Sequence, residues 1–188
     1  MRSFLAGIVA TLVALAVLGF AAVQTGAVPA NADRPALPGE KWAAHVSLNA
    51  TVKREAPRTA PFPLGDGDLA AGATLYVQNC AVCHGTAHST ATSIARGLYI
   101  RAPQFEKHDV TDDPVGVTYW KVDHGIAWTA MPSYHATLSE RDRWQVSWFL
   151  KNQDKLDGRA KAIWENPELA PAPTPIPDPT KAPAGTPT

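Results

Sequence analysis

Residues 80–84 read CAVCH, and Cys80 and Cys83 are the only two cysteines in this chain of 188 residues. Two thiols and the imidazole of His84 lie within one short stretch, so the motif can hold a metal ion, exchange a disulfide or tether a cofactor. The class of protein therefore depends on which of these three chemistries the rest of the chain supports.

Structural zinc and dithiol exchange are both poor matches to this sequence. A structural zinc site takes four ligands, commonly from two cysteine pairs, and the chain has no second pair, so His88 would have to serve as a further ligand. A thioredoxin-like Cys-x-x-Cys motif opens a helix after a strand. Here a helical pattern precedes the motif and no strand does, so neither chemistry is favoured.

Covalent attachment of a c-type haem explains all three reactive side chains. Two thiols at this spacing can form thioethers with the two vinyl groups of one porphyrin, and His84 then brings an imidazole beneath the iron. The carbonyl of Pro103, in the loop after the motif, is a candidate acceptor for the other ring nitrogen of His84. The sequence therefore predicts one haem c, with its iron, held by Cys80, Cys83 and His84.

The sixth iron ligand decides between electron transfer and small-molecule chemistry. Apart from the initiator, Met131 is the only methionine, and its loop position beside Pro132 counts against a purely core role. Ligation by His84 and Met131 leaves no open position for oxygen or peroxide. If Met131 is not a ligand, the alternative is a haem peroxidase or gas sensor. The rival distal ligands, otherwise expected on the surface or in loops, are His88, His108, His124 and His135.

Residues 65–162 are predicted to form the globular domain that carries these residues, and two of its helices lie near its two ends. The first begins at Asp66 or Asp68 as N-cap and ends at the CAVCH motif. The other opens with a capping box at Ser139 and runs toward a stop near Gly158. No segment in this region gives a pair of alternating strands, so we expect an all-α class.

A third helix is predicted between them, with Asp113 as N-cap, Pro114 at the first helical position and Gly125 just beyond the end. The connection over residues 85–112 is long for a compact domain and contains few large aliphatic side chains. A large apolar ligand would supply the core that this region lacks.

Together these residues resemble a monohaem class I cytochrome c domain, of the membrane-anchored bacterial type. Gly72 and Tyr76, in GATLYVQNCAVCHG, stand where this family places a small residue and an aromatic ring at the crossing of its first and last helices. GIAWTAMP resembles the stretch that leads to the methionine ligand, and Pro103 resembles the proline that accepts from the haem-binding histidine. The resemblance covers about residues 65–154 and implies a cytochrome c fold, a few helices wrapped around one covalently bound haem. Its partner positions on the last helix are Val146, Phe149 and Leu150.

The N-terminal residues 1–24 are predicted to be a membrane anchor or uncleaved signal. Residues 4–23 carry no charge and are about long enough to cross a bilayer as a helix. The alternative is a signal peptide cleaved after the triplet at residues 30–32. The haem domain is expected on the periplasmic side of the inner membrane, or in the periplasm as a soluble protein if cleavage occurs.

Proline-containing segments flank the predicted domain. Residues 25–64 are interpreted as a linker, in which residues 46–52 alternate apolar and polar side chains as a half-buried strand would; a solvated linker is the alternative. Residues 163–188 are rich in proline and poor in core-forming side chains, so we expect a disordered tail.

The balance of 17 basic and 17 acidic side chains argues against a nucleic-acid partner. The expected partners are a redox protein that donates the electron and another that accepts it, with no small-molecule substrate and no enzymatic activity in the chain alone. A subunit of a respiratory oxidase or dehydrogenase complex is the alternative. Trp128 is a candidate contact for such a partner, although burial against the haem is also open. Candidates for contact with the haem propionates are Trp120, Trp128, Arg96 and Arg101.

Overall fold

The computed structural model describes residues 1–89, 91–106 and 110–172, and these residues contain α-helices and short 3-10 segments but no β-strand. The predicted all-α class is confirmed. The helices are α1 Arg2–Gln24, α2 Glu40–Glu55, α3 Asp68–Asn79, α4 Ala81–His84, α5 Ser93–Gly97, α6 Val115–His124, α7 Glu140–Lys151 and α8 Gly158–Glu165, with 3-10 segments at Gln153–Lys155 and Pro167–Leu169.

Helix α1 belongs to a separate compact unit, Met1–Arg34, and none of its residues is buried. With 23 residues it is about 34 Å long, enough to cross the roughly 30 Å apolar core of a bilayer. A signal sequence near an N-terminus has the same length and composition. The helix is therefore compatible with a membrane anchor and equally with a signal.

The core of the second unit forms where α3 crosses α7. A Cβ on Gly72 would lie 2.1 Å from the backbone oxygen of Gln145, so only glycine allows the two helices to approach this closely. The ring of Tyr76, fully buried, packs on Phe149 of α7 at 5.3 Å between centroids, and edge-on against Trp164 of α8 at 5.6 Å. These aromatic contacts join three helices into one apolar core.

The last predicted helix ends earlier than expected. Its start is as predicted, since the Ser139 side chain accepts from the backbone N–H of Asp142 in a capping box. It stops at Lys151, where the Asn152 side chain bonds back to a backbone carbonyl of the last turn. The expected stop at Gly158 was wrong, because that glycine opens helix α8 instead.

Helix α8 also crosses the boundary predicted at residue 162. Its side chains Ile163 and Trp164 are buried in the core around Tyr76, so the packed region continues into the segment interpreted as a tail. The part of that tail from residue 173 onward lies outside the described residues.

The segment predicted as a strand or a solvated linker, residues 46–52, is helical. It lies within α2, which has an acidic residue in its first turn and two basic residues in its last, an arrangement that favours a helix through its dipole. Val52 is buried, and directly after the helix the carbonyl of Pro57 lies 1.7 Å from where a Cβ on Gly116 of α6 would be. The linker is thus packed on the domain over part of its length.

Helix α6 begins one residue later than predicted. Pro114 occupies the N-cap position with extended backbone, and the carboxylate of Asp113, the predicted cap, pairs with the ammonium of Lys121 at 2.8 Å. Gly125 follows the last helical residue with φ of 67°, as expected for a helix-ending glycine.

Candidate haem site

A cavity of about 390 Å³ lies beside the end of α3, within the roughly 300–1,000 Å³ usual for cofactor pockets. Its wall is largely apolar, with contributions from Phe105, Val122 and Leu150. The residues predicted from the sequence to bind the cofactor all line this one cavity, and they are Cys80, Cys83, His84, Pro103 and Met131. The cavity therefore fits a large apolar group that carries a metal.

The two cysteines lie one helical turn apart, and neither forms a disulfide. Cys80 caps the end of α3, and its carbonyl accepts from the backbone N–H of Cys83 at 3.0 Å. Burial, with the neighbouring Cys83 thiol adding to it, raises the pKa of the Cys80 thiol to about 12. Disulfide exchange requires a thiolate, so this environment does not favour a redox dithiol.

Zinc gains no support from the arrangement of side chains either. Across the described parts of the chain, no group of three or more His, Cys, Asp and Glu side chains is placed to hold a metal ion. A zinc site built on Cys80, Cys83 and His84 is therefore not supported by the described residues.

The ring of His84 is held in one orientation and one tautomer. Its Nδ1 lies 2.9 Å from the carbonyl oxygen of Pro103, which can only accept, so Nδ1 carries the proton. The ring also stacks on Phe105 with centroids 4.5 Å apart. Burial lowers the pKa of His84 despite the opposing effect of the Pro103 hydrogen bond. A neutral imidazole with a free Nε2 lone pair is the form that ligates a metal.

Two further side chains fix the turn that carries the motif. The hydroxyl of Tyr76 donates to the carbonyl of Gly85 at 2.7 Å, and burial raises the pKa of Tyr76, so this donor keeps its proton. The side-chain amide of Gln104 donates to the carbonyl of Cys83 at 2.9 Å. Sequence reasoning missed Gln104, although its position directly after Pro103 was a usable signal.

Met131 lies half-buried on a turn that is braced by its own hydrogen bonds. Its backbone N–H donates to the Thr129 hydroxyl at 3.1 Å, and its carbonyl accepts from the N–H of Ile126 at 3.1 Å. A Cβ on Gly125 would lie 2.8 Å from the Met131 carbonyl oxygen and 2.6 Å from the Pro132 carbonyl carbon. The glycine therefore lets the methionine turn close against the end of α6.

The segment after Met131 is anchored to both α3 and α6. The Tyr134 hydroxyl donates to the carbonyl of Asn79, one residue before the CAVCH motif, at 2.8 Å. The Tyr134 backbone N–H donates to the carbonyl of Val122 at 3.1 Å, and the Ser133 hydroxyl donates to that of Asp123 at 2.6 Å. These bonds connect the methionine segment to the residue that precedes the first cysteine and to the last turn of α6.

A buried pair of Asp123 and Arg143, which sequence reasoning missed, adds a third attachment for this segment through the exposed His135. Oδ1 of Asp123 lies 2.9 Å from Nε of Arg143 in α7 and 2.9 Å from Nδ1 of His135 in the methionine segment. Arg143 also donates to the carbonyl of His135 at 3.1 Å. The pairing joins residues far apart in the chain, so no local pattern could have indicated it.

Only some of the other residues predicted to contact the haem or its iron line the cavity. Arg101 lines the cavity, and so does His45, which lies within the segment predicted as a linker, residues 25–64. Trp128 is 97% exposed and does not line it, so burial of Trp128 against the haem was wrong. His108 lies outside the described residues. The other candidates that do not line the cavity are His88, His124, His135, Arg96 and Trp120.

Comparison with known proteins agrees with this site. Residues 67–150 match the family model described as "Cytochrome C oxidase, cbb3-type, subunit III". No curated protein matches the chain. The family describes an electron-transfer module, and the helical fold, the apolar cavity and the Cys-x-x-Cys-His turn agree with that class. The matched region is a cytochrome c domain, whose family implies a covalently bound c-type haem with its iron.

Proposed function

We propose that this protein is a one-electron carrier with a single haem c, attached through thioethers to Cys80 and Cys83 and ligated by His84 and Met131. The observation that carries the proposal is that these four residues and Pro103 line one apolar cavity. A haem bound there supplies a reversible one-electron Fe(III)/Fe(II) couple.

The chain's own residues account for the rest of this function. The Pro103 carbonyl holds the His84 ring and its Nδ1 proton, which leaves Nε2 for the iron. The apolar wall would keep water from the haem, and the Met131 thioether, as a ligand of the iron, would leave no open position for oxygen or peroxide. The site is therefore suited to electron transfer and not to reactions in which bonds of a substrate are made or broken.

Replacement of Met131 tests the ligation. The oxidised protein is expected to show the weak long-wavelength absorption band of thioether-ligated ferric haem, and Met131→Ala should lose this band and have a lower reduction potential. His88→Ala, which changes a histidine outside the cavity, is the control and should retain both properties. A native protein without the band would contradict the proposal and favour the haem peroxidase or gas sensor.

We further propose that α1 is retained and holds the domain on the periplasmic side of the inner membrane. Its length and its apolar side chains, none of them buried, support this role. The mass of the mature protein tests it: retention of residues 1–24 supports an anchor, whereas cleavage after Ala32 would indicate a soluble periplasmic protein. The same measurement counts the haem groups.

A second candidate is a haem-bearing subunit of a respiratory oxidase or dehydrogenase complex. The family model that matches residues 67–150 is described as a subunit of a cbb3-type oxidase, and this description favours the second candidate. Purification from a mild detergent extract discriminates the two, because a subunit would co-purify with its complex in fixed ratio. A free carrier would be recovered alone, with reducing and oxidising redox proteins as transient partners.

A further inference from the structure

Helix α2 precedes the residues that match the cytochrome c family, yet it forms part of the cavity wall. His45, Leu48 and Asn49 line the cavity, and Val52 is buried against the domain. These four positions have the spacing of a single helix face. The face that packs on the protein at Val52 therefore continues over the cavity toward the start of the helix.

Hydrogen bonds hold this helix near both of its ends. The Tyr99 hydroxyl donates to Oε1 of Glu40 at 2.6 Å, which ties the first turn to the loop after α5. The Trp120 indole N–H donates to Oε2 of Glu55 at 3.2 Å, which ties the last turn to α6. The loop after α5 and helix α6 both contribute residues to the cavity lining, so α2 is attached at each end to an element that borders the cavity.

The polar groups on this side of the cavity suit a carboxylate. Haem is apolar except for its iron and its two propionate carboxylates, which need hydrogen-bond donors or cations where they meet protein. Asn49 and His45 offer donors from α2, and Arg101, two residues after Tyr99, offers a guanidinium from the adjoining loop. Lys121 also lines the cavity, but its ammonium pairs with Asp113 at 2.8 Å.

We propose that α2 is a wall of the haem site, and that His45 and Asn49 bind the haem carboxylates together with Arg101. The proposal rests on the proposed function, since it requires haem in this cavity. On this proposal, the segment between α1 and the matched domain is part of the redox site and does more than separate the two.

Reduction potentials of the haem-loaded full chain test the side chains. His45→Ala, Asn49→Ala and the double variant are expected to lower the potential, because less compensated carboxylates and easier water access stabilise ferric iron. Ser47→Ala is the matched control: it removes a short polar group from the exposed opposite face and should leave the potential unchanged. A double variant with the potential of the control would overturn the assignment of His45 and Asn49.

Hydrogen exchange of the same protein tests the helix. Backbone amides around Leu48 and Val52 are expected to exchange as slowly as those of α6. Exchange at the rate of an unstructured chain would refute the proposal that α2 forms a wall of the site. Failure of the proposed function is recognised separately, by the absence of covalent haem mass or of the long-wavelength band. A preparation that has both, with freely exchanging α2 amides and unaffected potentials, would refute this proposal alone.

Discussion

At the scale of single residues, Gly125 connects the end of a helix to the methionine turn. Its φ of 67° lies in the left-handed region, and a Cβ would lie 2.6 Å from backbone atoms of Pro132 and Ser133. Backbone atoms cannot rotate away as a flexible side chain can. Any side chain at this position must therefore displace the segment that carries Met131.

Gly125→Ala is expected to destabilise the fold by about 1–3 kcal/mol, from backbone strain together with steric overlap. Because the displaced turn carries Met131, the long-wavelength band should weaken while the haem stays attached. Absorption spectra and urea unfolding measure the two effects. Gly97→Ala is the control, since a Cβ there meets nothing within 4 Å, and it should leave both unchanged.

At the scale of secondary-structure elements, Asp68 joins the start of α3 to α7. Its buried carboxylate accepts from the Gln145 amide at 2.7 Å and from Arg141 at 3.0 Å, and also from the backbone N–H of Gly65 at 2.7 Å. Burial by itself would raise the pKa of Asp68, but these hydrogen bonds outweigh it and the pKa is lowered. The charged form is therefore favoured in the folded protein.

Asp68→Asn is expected to cost about 1.5–3 kcal/mol at neutral pH, the range for hydrogen bonds to charged groups. A lowered folded pKa means that this stabilisation is complete above the unfolded value, near 3.8, and is lost as the pH falls through the folded value. The difference in unfolding free energy between wild type and variant should therefore be constant near neutrality and shrink below about pH 4.

Chemical unfolding at a series of pH values measures this difference. Asp66→Asn is the matched control, because Asp66 is exposed and lies two residues earlier. A deficit in Asp68→Asn that stayed the same under acid conditions would show that charge does not contribute to the α3–α7 junction.

At the scale of the whole molecule, the surface beside the methionine turn exposes an apolar side chain, that of Trp128, on a strained backbone. Trp128 is 97% exposed, and its backbone has a left-handed φ of 64°, which residues other than glycine rarely adopt. Strained residues that persist on a surface are often functional. Its location three residues before Met131 supports the prediction that Trp128 contacts a redox partner.

Trp128→Gly is expected to raise stability by about 1 kcal/mol through relief of this strain, and yet to slow electron exchange with the partner. The rate of reduction by native membranes, compared with that by a small reductant, measures the partner contact. Trp42→Ala removes another exposed tryptophan, on α2, and serves as the control. Equal rates of reduction by native membranes for Trp128→Gly and the wild type would show that Trp128 does not contact the partner.

The motif, the Ser139 capping box and the lone methionine were accessible from the sequence because each involves a single residue or a few neighbouring ones. The predicted caps Asp66 or Asp68 and Asp113 were wrong, because Gly67 and Pro114 occupy those positions. Local spacing indicated the all-α class and the candidate residues Cys80, Cys83, His84 and Met131. Alternation over a few residues was too short to separate a strand from a helix at residues 46–52. The charges at its two ends favour helix α2, but the packing of Val52 on the domain depends on residues far away in the chain, and no local rule contains that information.

By itself, the sequence determined the chemistry that the chain can perform: paired thiols, an imidazole and a thioether, with a leading apolar segment. Only the tertiary structure decided that α2 and α8 join the domain, and that the Asp123–Arg143 pair and Tyr134 hold the methionine segment. The reason is physical. Reactive groups are properties of single residues, whereas burial and ion pairing arise between segments that meet only when the chain has folded.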